Sequence, residues 1–327
     1  MRAPDFWAAD GLVPLVLAPL GALYGLAGSI RRAFATPLCL PVPVVCVGNL
    51  TAGGTGKTPV ALAIGQYLSA RGLAVHFLTR GYGGRLKGPI QVEPGRHSAR
   101  EVGDEPLLLA VLAPTWVARD RAAGGRAAVA AGAEIIVMDD GLQNPALVQD
   151  LKIVVVDGGV GFGNARLIPA GPLREPLGPG LARADAVVLI ADPERNGIVP
   201  PAATQPPWYV ARFKPNAAAE TLTKRRVVAF AGIGRPAKFF ATLTALGAHV
   251  VGAHAFPDHH PYAPEEIVAL TDIANAANAL LVTTAKDAVR LEASLRTLIA
   301  VVDGALEFER DRVLEQLLAP AIAKAAR

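Results

Sequence analysis

The sequence predicts an α/β protein with a doubly wound, mostly parallel sheet of the P-loop NTPase-like type. Short β-branched apolar runs alternate with helical patterns from residue 44 onward, and this alternation is typical of parallel sheets covered by helices. A Gly-rich loop follows the first run, and a second alternating series starts at Val227. We therefore expect an apolar N-terminal segment, a core domain, a linker region and a second, smaller α/β domain, with boundaries at 1–32, 33–192, 193–224 and 225–327.

Composition limits the possible partners. The 327 residues are 52% hydrophobic and carry a formal charge of +4. This mildly basic balance fits an anionic ligand or an anionic membrane surface, and without a dense Lys/Arg run it argues against nucleic acid. The two cysteines, Cys39 and Cys46, have no metal-binding spacing. We expect Cys46 to be a small core residue and no disulfide to form.

The N-terminal residues 11–30 carry no charge and are followed by Arg31 and Arg32. A helix of this length could cross a bilayer, although Pro14 and Pro19 weaken it. A cleaved signal peptide is disfavoured because export would separate the chain from cytosolic nucleotide. Three interpretations stay open: a transmembrane helix, an apolar helix packed on the domain, and a membrane-inserted or surface-lying segment tethered by the two arginines and Trp7.

The most informative motif lies between a buried strand, Val44 to Val47, and a helix over residues 59–73. Its glycines let backbone N–H groups approach phosphate oxygens, and the helix N-terminus adds partial positive charge. Lys57 would reach the β- and γ-phosphates of a nucleotide, and Thr58 would hold Mg²⁺. The full P-loop pattern has Gly where this chain has Thr51. The candidate nucleotide-binding residues are Thr51, Ala52, Gly53, Gly54, Thr55, Gly56, Lys57 and Thr58.

Further strands and helices alternate after the P-loop. In the core domain we expect strands at 75–79, 116–118, 135–138, 153–156 and 186–191, with helices over 107–112 and 122–131. In the second domain we expect strands at 227–231, 249–254, 280–284 and 298–302, with helices over 239–246, 264–277 and the C-terminus. Residues 232–234 resemble half a dinucleotide fingerprint, which we interpret as strand–helix packing.

Three acidic positions are candidates for chemistry. Asp139 and Asp140 end a buried strand some distance after the P-loop, where P-loop proteins bind Mg²⁺ directly or through water. Asp104 ends a loop just before a helix, and the simple interpretation there is a helix N-cap.

Two loops complete the candidate site. The stretch from 158 to 180 is rich in Gly and Pro and long enough to be functional, with Arg174 and Glu175 as candidates for substrate contact. Asp258, His259 and His260 follow a strand of the second domain. Such a cluster is either a site or a solvated turn, and metal binding is possible.

Nine short motifs follow one another over most of the chain. They are GNLTAGGTGKTP (48–59), TRGYGG (79–84), VGDEP (102–106), RDR (119–121), MDDGLQ (138–143), IPAGPLREP (168–176), AGIGRPAKFF (231–240), FPDHHPY (256–262) and TTAKDAVRL (283–291). Taken together, these motifs resemble the tetraacyldisaccharide 4'-kinases of the lipid A pathway. The chain departs from the family pattern at Asn144, where His is expected, and at Ala285, where Glu is expected. Neither position is one that we assign to chemistry.

The resemblance implies a reaction and a location. It implies ATP- and Mg²⁺-dependent phosphorylation of the 4'-hydroxyl of a lipid-linked glucosamine disaccharide 1-phosphate. It also implies a peripheral or monotopic enzyme on the cytoplasmic face of a Gram-negative inner membrane, and we expect a monomer.

The resemblance also implies roles for residues. Asp104 would be the base on the sugar hydroxyl, supported by His259, and Lys57 would counter the phosphate charge. We expect the two domains to close and bring His259 towards Asp104, because domains joined by a linker tend to move. The candidate substrate-binding residues are Asn49, Arg80, Arg119, Gln143, Arg174 and Glu175.

Two alternatives of other classes remain. One is a P-loop ATPase or GTPase acting as a switch or metallochaperone at the membrane. However, Ala52 stands where the dimerising ATPases have a lysine, and Ala285-Lys286-Asp287 lacks the Asn of a guanine-reading motif. The other is a non-catalytic membrane scaffold, which would leave Asp104 and His259 without a function.

Overall fold

The computed structural model describes residues 4–192, 205–310 and 312–326. Within these residues strands and helices alternate along most of the chain, as the sequence predicts. The strands are β1 (Val44–Gly48), β2 (Val75–Thr79), β3 (Ile90–Gln91), β4 (Thr115–Val117), β5 (Ile135–Asp139), β6 (Leu151–Asp157), β7 (Ala186–Ile190), β8 (Trp208–Pro215), β9 (Arg226–Ala231), β10 (His249–Ala255), β11 (Leu280–Thr284), β12 (Ala300–Val302) and β13 (Gly304–Phe308).

Helices cover the sheets, and a 3-10 turn at Asp5–Trp7 precedes the first of them. The helices are α1 (Leu12–Ala33), α2 (Lys57–Ser69), α3 (Ala99–Val102), α4 (Asp104–Ala110), α5 (Arg121–Ala130), α6 (Leu177–Ala182), α7 (Ala217–Glu220), α8 (Pro236–Ala245), α9 (Pro264–Ala276), α10 (Ala285–Ala288), α11 (Ala293–Arg296) and α12 (Val313–Ala325).

The larger sheet has nine strands in the order β13-β8-β7-β6-β1-β5-β2-β4-β3. Its strands run parallel except at the two edges, where β13 pairs antiparallel with β8 and β3 pairs antiparallel with β4. The central strands are buried throughout, as expected for a parallel sheet covered on both faces. The predicted doubly wound, mostly parallel sheet is therefore confirmed.

The register of this sheet positions the candidate site. β1 lies between β5 and β6, and Val47 of β1 is level with Asp139 of β5. Parallel strands end at the same edge, where α/β proteins bind ligands. The P-loop that follows β1 and the acids that end β5 therefore meet at the carboxyl edge of the sheet.

The smaller sheet contains four parallel strands in the order β10-β9-β11-β12. Its two faces are covered by separate apolar clusters, one around Phe239 and Leu243 of α8 and one around Ile267 and Leu270 of α9. We call residues 217–302 the small domain, and the rest of the described chain the large domain.

The domain boundaries differ from those expected. Of the predicted linker, residues 193–204 lie outside the described residues, but Trp208–Pro215 forms β8 and pairs with β7 of the large sheet. The segment after 303 also returns to the large sheet as β13. The sequence did not predict β8 because this strand, near the sheet edge, exposes Arg212 and Lys214. It therefore lacks the continuous apolar run that marks a buried strand.

The N-terminal helix α1 lies on the large domain and leaves most of its apolar surface exposed. By length and composition it could cross a membrane. Its Gly21 and Gly25 face Leu167, and an added Cβ on Gly25 would lie 2.7 Å from that leucine's Cδ1. Close approach of this kind suits glycine. The helix therefore has one narrow packed face and a wide exposed one.

The residues expected to tether this segment to a membrane make contacts with protein groups. Arg31 donates to the carbonyl of Gln143 at 3.0 Å, and Arg32 lies 3.4 Å from the carboxylate of Glu175. The Trp7 indole donates to the carbonyl of Pro169 at 3.0 Å. These contacts fix α1 to loops of the core.

Candidate active site

The P-loop wraps the N-terminus of α2 as the sequence predicts. Gly56 has φ of +83° at the start of the helix, and a Cβ there would lie 2.3 Å from Cδ1 of Ile190. Both the left-handed torsion and the lack of space require glycine at this position. Lys57 and Thr58 follow in the first turn and are buried.

The acids at the end of β5 lie against these two residues. Thr58 donates to Asp139 Oδ2 at 3.0 Å. Asp139 is fully buried, and its Oδ1 has no hydrogen-bond partner within the described chain. Burial raises the pKa of Asp139, and the nearby Glu105 charge raises it further. A buried, unpaired carboxylate oxygen of this kind is an available ligand for a cation.

Asp140 is held differently. It has φ of +54°, and its Oδ1 lies 3.6 Å from the Lys57 ammonium and 2.8 Å from the Arg174 guanidinium. Burial alone would raise the pKa of Asp140, but Lys57 and then Arg174 lower it below its usual value. Arg174 and Lys57 therefore share one carboxylate oxygen of Asp140.

Within the described residues no group of three His, Cys, Asp or Glu side chains is arranged to hold a metal ion. Mg²⁺ in phosphoryl-transfer sites is usually bound by one or two carboxylates together with substrate phosphates and water. Thr58, Asp139 and Asp140 provide a partial site of that kind.

Asp104 is the first residue of α4 rather than its N-cap, which is Gly103. The simple N-cap interpretation of Asp104 is therefore wrong. Its side chain is only 3% exposed, and Oδ1 accepts a hydrogen bond from the N–H of Glu105 at 2.9 Å. The other oxygen, Oδ2, is directed at the small domain.

His259 of the small domain meets that oxygen. Its Nδ1 lies 2.8 Å from Asp104 Oδ2, and its ring lies 5.6 Å from that of Tyr82. The residue has φ of +61° in the turn after β10, a torsion that costs energy for a non-glycine residue. The expected juxtaposition of Asp104 and His259 is present in this structure.

The neighbouring His260 is separate from this pair. It contacts Glu266 at 2.9 Å and stacks on Phe256 with ring centroids 4.8 Å apart. The Asp258-His259-His260 cluster therefore divides, with one histidine at the interdomain contact and the other packed within the small domain. This division removes the metal site that adjacent histidines suggested.

Two further cations reach Asp104 from the small domain. Lys286 Nζ lies 3.9 Å and Arg290 Nε lies 3.6 Å from Asp104 Oδ2. Burial alone would raise the pKa of Asp104, but the His259 hydrogen bond and the charges of Lys286, His259 and Arg290 lower it. Sequence reasoning assigned neither cation a role, although both lie within the motif at 283–291.

A second interdomain contact lies beyond β6 and β7. Arg235, just before α8, donates to both carboxylate oxygens of Asp157 at 2.8 and 2.9 Å and to Asp192 at 2.7 Å. Such forked pairs fix geometry as well as charge. The Arg235 contact and the Asp104 contact together hold the small domain against the carboxyl edge of the large sheet, one on each side of the P-loop.

The remaining candidate substrate residues fall into two groups. Gln143 donates to the carbonyl of Asn49 at 2.8 Å and to Glu175 at 2.9 Å. Glu175 is 1% exposed and also pairs with Arg183 and Arg32. Asn49, Gln143 and Glu175 form one network beneath the P-loop. The Glu175 carboxylate is already occupied by protein partners.

The other group is the basic side chains after β2 and β4. Arg80 and Arg119 are exposed at the carboxyl edge of the sheet. The backbone N–H of Arg119 donates to the carbonyl of Lys87. Arg121, two residues later, is instead 2% exposed, and burial lowers its pKa to about 10. The sequence of the RDR motif alone does not show that Arg121 is buried and Arg119 exposed.

Comparison with known proteins gives consistent matches. The family model described as LpxK, tetraacyldisaccharide-1-P 4'-kinase, matches residues 13–323. The tetraacyldisaccharide 4'-kinase of Rhodospirillum rubrum is 53% identical over 321 residues, which is 97% of this chain and 97% of that protein. The enzyme of the same name from Paramagnetospirillum magneticum is 52% identical and covers 97% of this chain and 98% of its own length.

A solved structure is also similar. The crystal structure of LpxK from Aquifex aeolicus, described as an "apo" form in complex with ATP, superposes with a TM-score of 0.76 at 29% identity. The match covers 95% of this chain and 99% of that chain. The similarity therefore includes both domains.

Proposed function

This chain belongs to the tetraacyldisaccharide-1-P 4'-kinase family, and we propose how its two domains share the family's reaction. The protein is a kinase of lipid A biosynthesis that uses ATP to phosphorylate tetraacyldisaccharide 1-phosphate at the 4' position. The roles of individual residues, the metal and the membrane are proposed below. The catalytic roles rest on the 2.8 Å contact between Asp104 and His259, which joins the two domains.

We assign the triphosphate to the P-loop. Residues 51–58 surround the N-terminus of α2, where backbone N–H groups and the helix dipole favour phosphate. Lys57 supplies a positive charge that is already aligned by Asp140. Phosphoryl transfer depends mainly on positioning and charge neutralisation, so these groups provide the larger part of the catalysis.

We assign Asp104 as the base that receives the proton of the 4'-hydroxyl. Its Oδ2 is oriented by His259, while its Oδ1 is fixed by the N–H of Glu105. Burial alone would raise the pKa of Asp104, but the His259 hydrogen bond and the nearby cations lower it, so the carboxylate is in the unprotonated form that a base requires. A base of this kind orients the attacking hydroxyl and takes its proton as the bond to phosphorus forms.

We propose that Thr58, Asp139 and Asp140 hold Mg²⁺ together with the phosphates. The unpartnered Oδ1 of Asp139 supports this assignment. When bound, the ion would neutralise charge on the β- and γ-phosphates.

Replacement of Asp139 by asparagine tests the metal assignment. We expect the Mg²⁺ concentration for half-maximal ATP binding to rise by at least about 10-fold, because one anionic ligand is lost. Calorimetric titration of ATP at a series of Mg²⁺ concentrations measures this shift without relying on turnover. Asp185→Asn, an exposed carboxylate paired with Lys152, is the matched control. An equal Mg²⁺ requirement in the two variants would contradict the assignment.

We propose that the exposed face of α1 lies in the cytoplasmic leaflet of the inner membrane. Val16 and Leu23 are 68% and 63% exposed, and their spacing of seven residues places them on one helix face. The substrate carries its acyl chains in a bilayer, so a surface-lying helix would bring the site to the lipid. Substrate contacts by Asn49, Arg80, Arg119, Gln143, Arg174 and Glu175, and a monomeric state, remain predictions.

The double substitution Val16→Asp and Leu23→Asp tests the membrane assignment. Both positions are exposed, so the fold should be preserved, while charged groups in the hydrocarbon region are strongly disfavoured. We expect the variant to move from vesicle-bound to free protein in flotation assays and its apparent KM for lipid substrate to rise more than its KM for ATP. Val111→Asp, at an exposed site outside α1, is the control. Unchanged flotation would favour the helix as a packing element only.

The reaction itself is tested with purified protein, ATP, Mg²⁺ and tetraacyldisaccharide 1-phosphate. We expect one ADP for each new phosphomonoester, located at the 4' position by ³¹P NMR, and little ADP without the disaccharide. A switch ATPase or a metallochaperone would instead hydrolyse nucleotide slowly and independently of the acceptor. A scaffold would form neither product.

A further inference from the structure

Lys286 lies among three carboxylates contributed by both domains. Its ammonium is 3.9 Å from Asp104 Oδ2 and 3.5 Å from Glu105 Oε1 in the large domain, and 3.8 Å from Asp258 Oδ1 in the small domain. The side chain is 23% exposed. No role that we derive for the P-loop or the metal involves this residue.

The charges at this contact are divided between the domains. The large domain contributes the carboxylates Asp104 and Glu105. The small domain contributes the cations Lys286 and Arg290, the imidazole of His259 and one carboxylate, Asp258. The electrostatic environment of Asp104 is therefore complete only when the two domains are in contact.

The two cations differ in what else they do. Arg290 is 4% exposed and donates to Asp287 and to the carbonyls of Gly232 and His260, so its guanidinium also holds the small domain together. The ion pairs of Lys286 are all with the three carboxylates at the contact. Two of these three carboxylates, Asp104 and Glu105, belong to the large domain, so most of the Lys286 ion pairs cross the domain contact.

A cation at this distance changes the chemistry of a buried carboxylate. Burial disfavours the charged form of Asp104, whereas an opposite charge within about 4 to 6 Å favours it. The pKa of Lys286 is raised despite burial, first by Asp104 and then by Glu105 and Asp258. Each group therefore stabilises the charged form of the other.

We propose that Lys286 is a positioning residue for phosphoryl transfer, which across the domain contact balances the charge of the buried Asp104 carboxylate and keeps that carboxylate oriented. The inference rests on the proposed role of Asp104 as the base. Lys286 acts through Asp104, and its positive charge is the property that matters.

A double-mutant cycle tests this role. We expect Lys286→Met to lower kcat by roughly 10-fold or more, in line with couplings between charged neighbours, with a change of less than about 2-fold in KM for ATP. Lys286→Arg should restore most of the rate. In an Asp104→Asn background, the methionine substitution should change kcat by less than about 2-fold, because the group that it acts through is gone.

Controls keep the cycle interpretable. Lys224→Met removes an exposed small-domain lysine just before β9, at the amino end of the small sheet, and should leave kcat unchanged. Circular dichroism and ATP binding monitor folding, and Lys286→Gln is a second uncharged variant if the methionine variant is unstable.

The possible results distinguish a failure of the proposed Lys286 role from a failure of the proposed Asp104 base. An equal loss of kcat in the presence and absence of Asp104, full activity of the uncharged variants, or an arginine variant no better than methionine would each overturn the role of Lys286. None of these results affects Asp104 itself. Full activity of the single Asp104→Asn variant would instead remove the proposed base.

Discussion

Replacement of Lys57 by alanine is expected to abolish detectable phosphoryl transfer while the protein stays folded. The ammonium is buried in the first turn of α2 and lies 3.6 Å from Asp140. Its loss removes a charge that opposes the charge developing on the transferred phosphoryl group, at a cost on the order of several kcal/mol of barrier.

The measurement is transfer of labelled γ-phosphate to the disaccharide, with circular dichroism as the test of folding. Asp140 keeps its Arg174 partner in the variant, so we expect the secondary structure to persist. Lys214→Ala, which removes an exposed lysine paired with Glu307, is the control and should be fully active. Turnover near that of the control in a folded Lys57→Ala protein would contradict the P-loop assignment.

Replacement of Asp104 by asparagine should preserve the fold and ATP binding but lower kcat by roughly 10²- to 10⁴-fold. The amide retains an oxygen that can accept from the N–H of Glu105, as Oδ1 does at 2.9 Å. It cannot accept the proton of a sugar hydroxyl. The loss should therefore fall on kcat and not on nucleotide affinity.

Asp120 offers a matched control for this substitution. It is a true N-cap, whose Oδ1 accepts from the N–H of Ala123 at 3.0 Å at the start of α5. Asparagine caps helices about as well as aspartate, so Asp120→Asn should have nearly unchanged activity and stability. Similar small effects at Asp104 and Asp120 would show that Asp104 has only a structural role.

Local motifs made part of this site predictable. Lys57, Thr58 and Asp139 belong to a P-loop and a strand end whose positions follow from short-range pattern and sheet topology, and the register of β1 with β5 brings them together. The contact between Asp104 and His259 spans 155 residues. Residue chemistry alone left it open, and only the family resemblance indicated it.

The sequence could not reveal contacts that depend on tertiary packing. Lys286 and Arg290 lie in a matching motif, but their approach to Asp104 requires the small domain to dock on the large one. Strand β8 was missed because its outer half is polar and exposed. A basic pair after an apolar helix usually marks a membrane interface, but the sequence could not show that Arg31 also contacts the Gln143 carbonyl and Arg32 the Glu175 carboxylate.

The proposed mechanism depends most on Asp104 and His259 acting as one unit across the two domains. The most direct test is the single-turnover rate of phosphoryl transfer in Asp104→Asn, His259→Ala and the double variant. We predict that His259→Ala loses less than Asp104→Asn and that the double variant is little slower than Asp104→Asn, because residues that act as a unit are not additive. Strictly additive losses in the double variant would contradict the account.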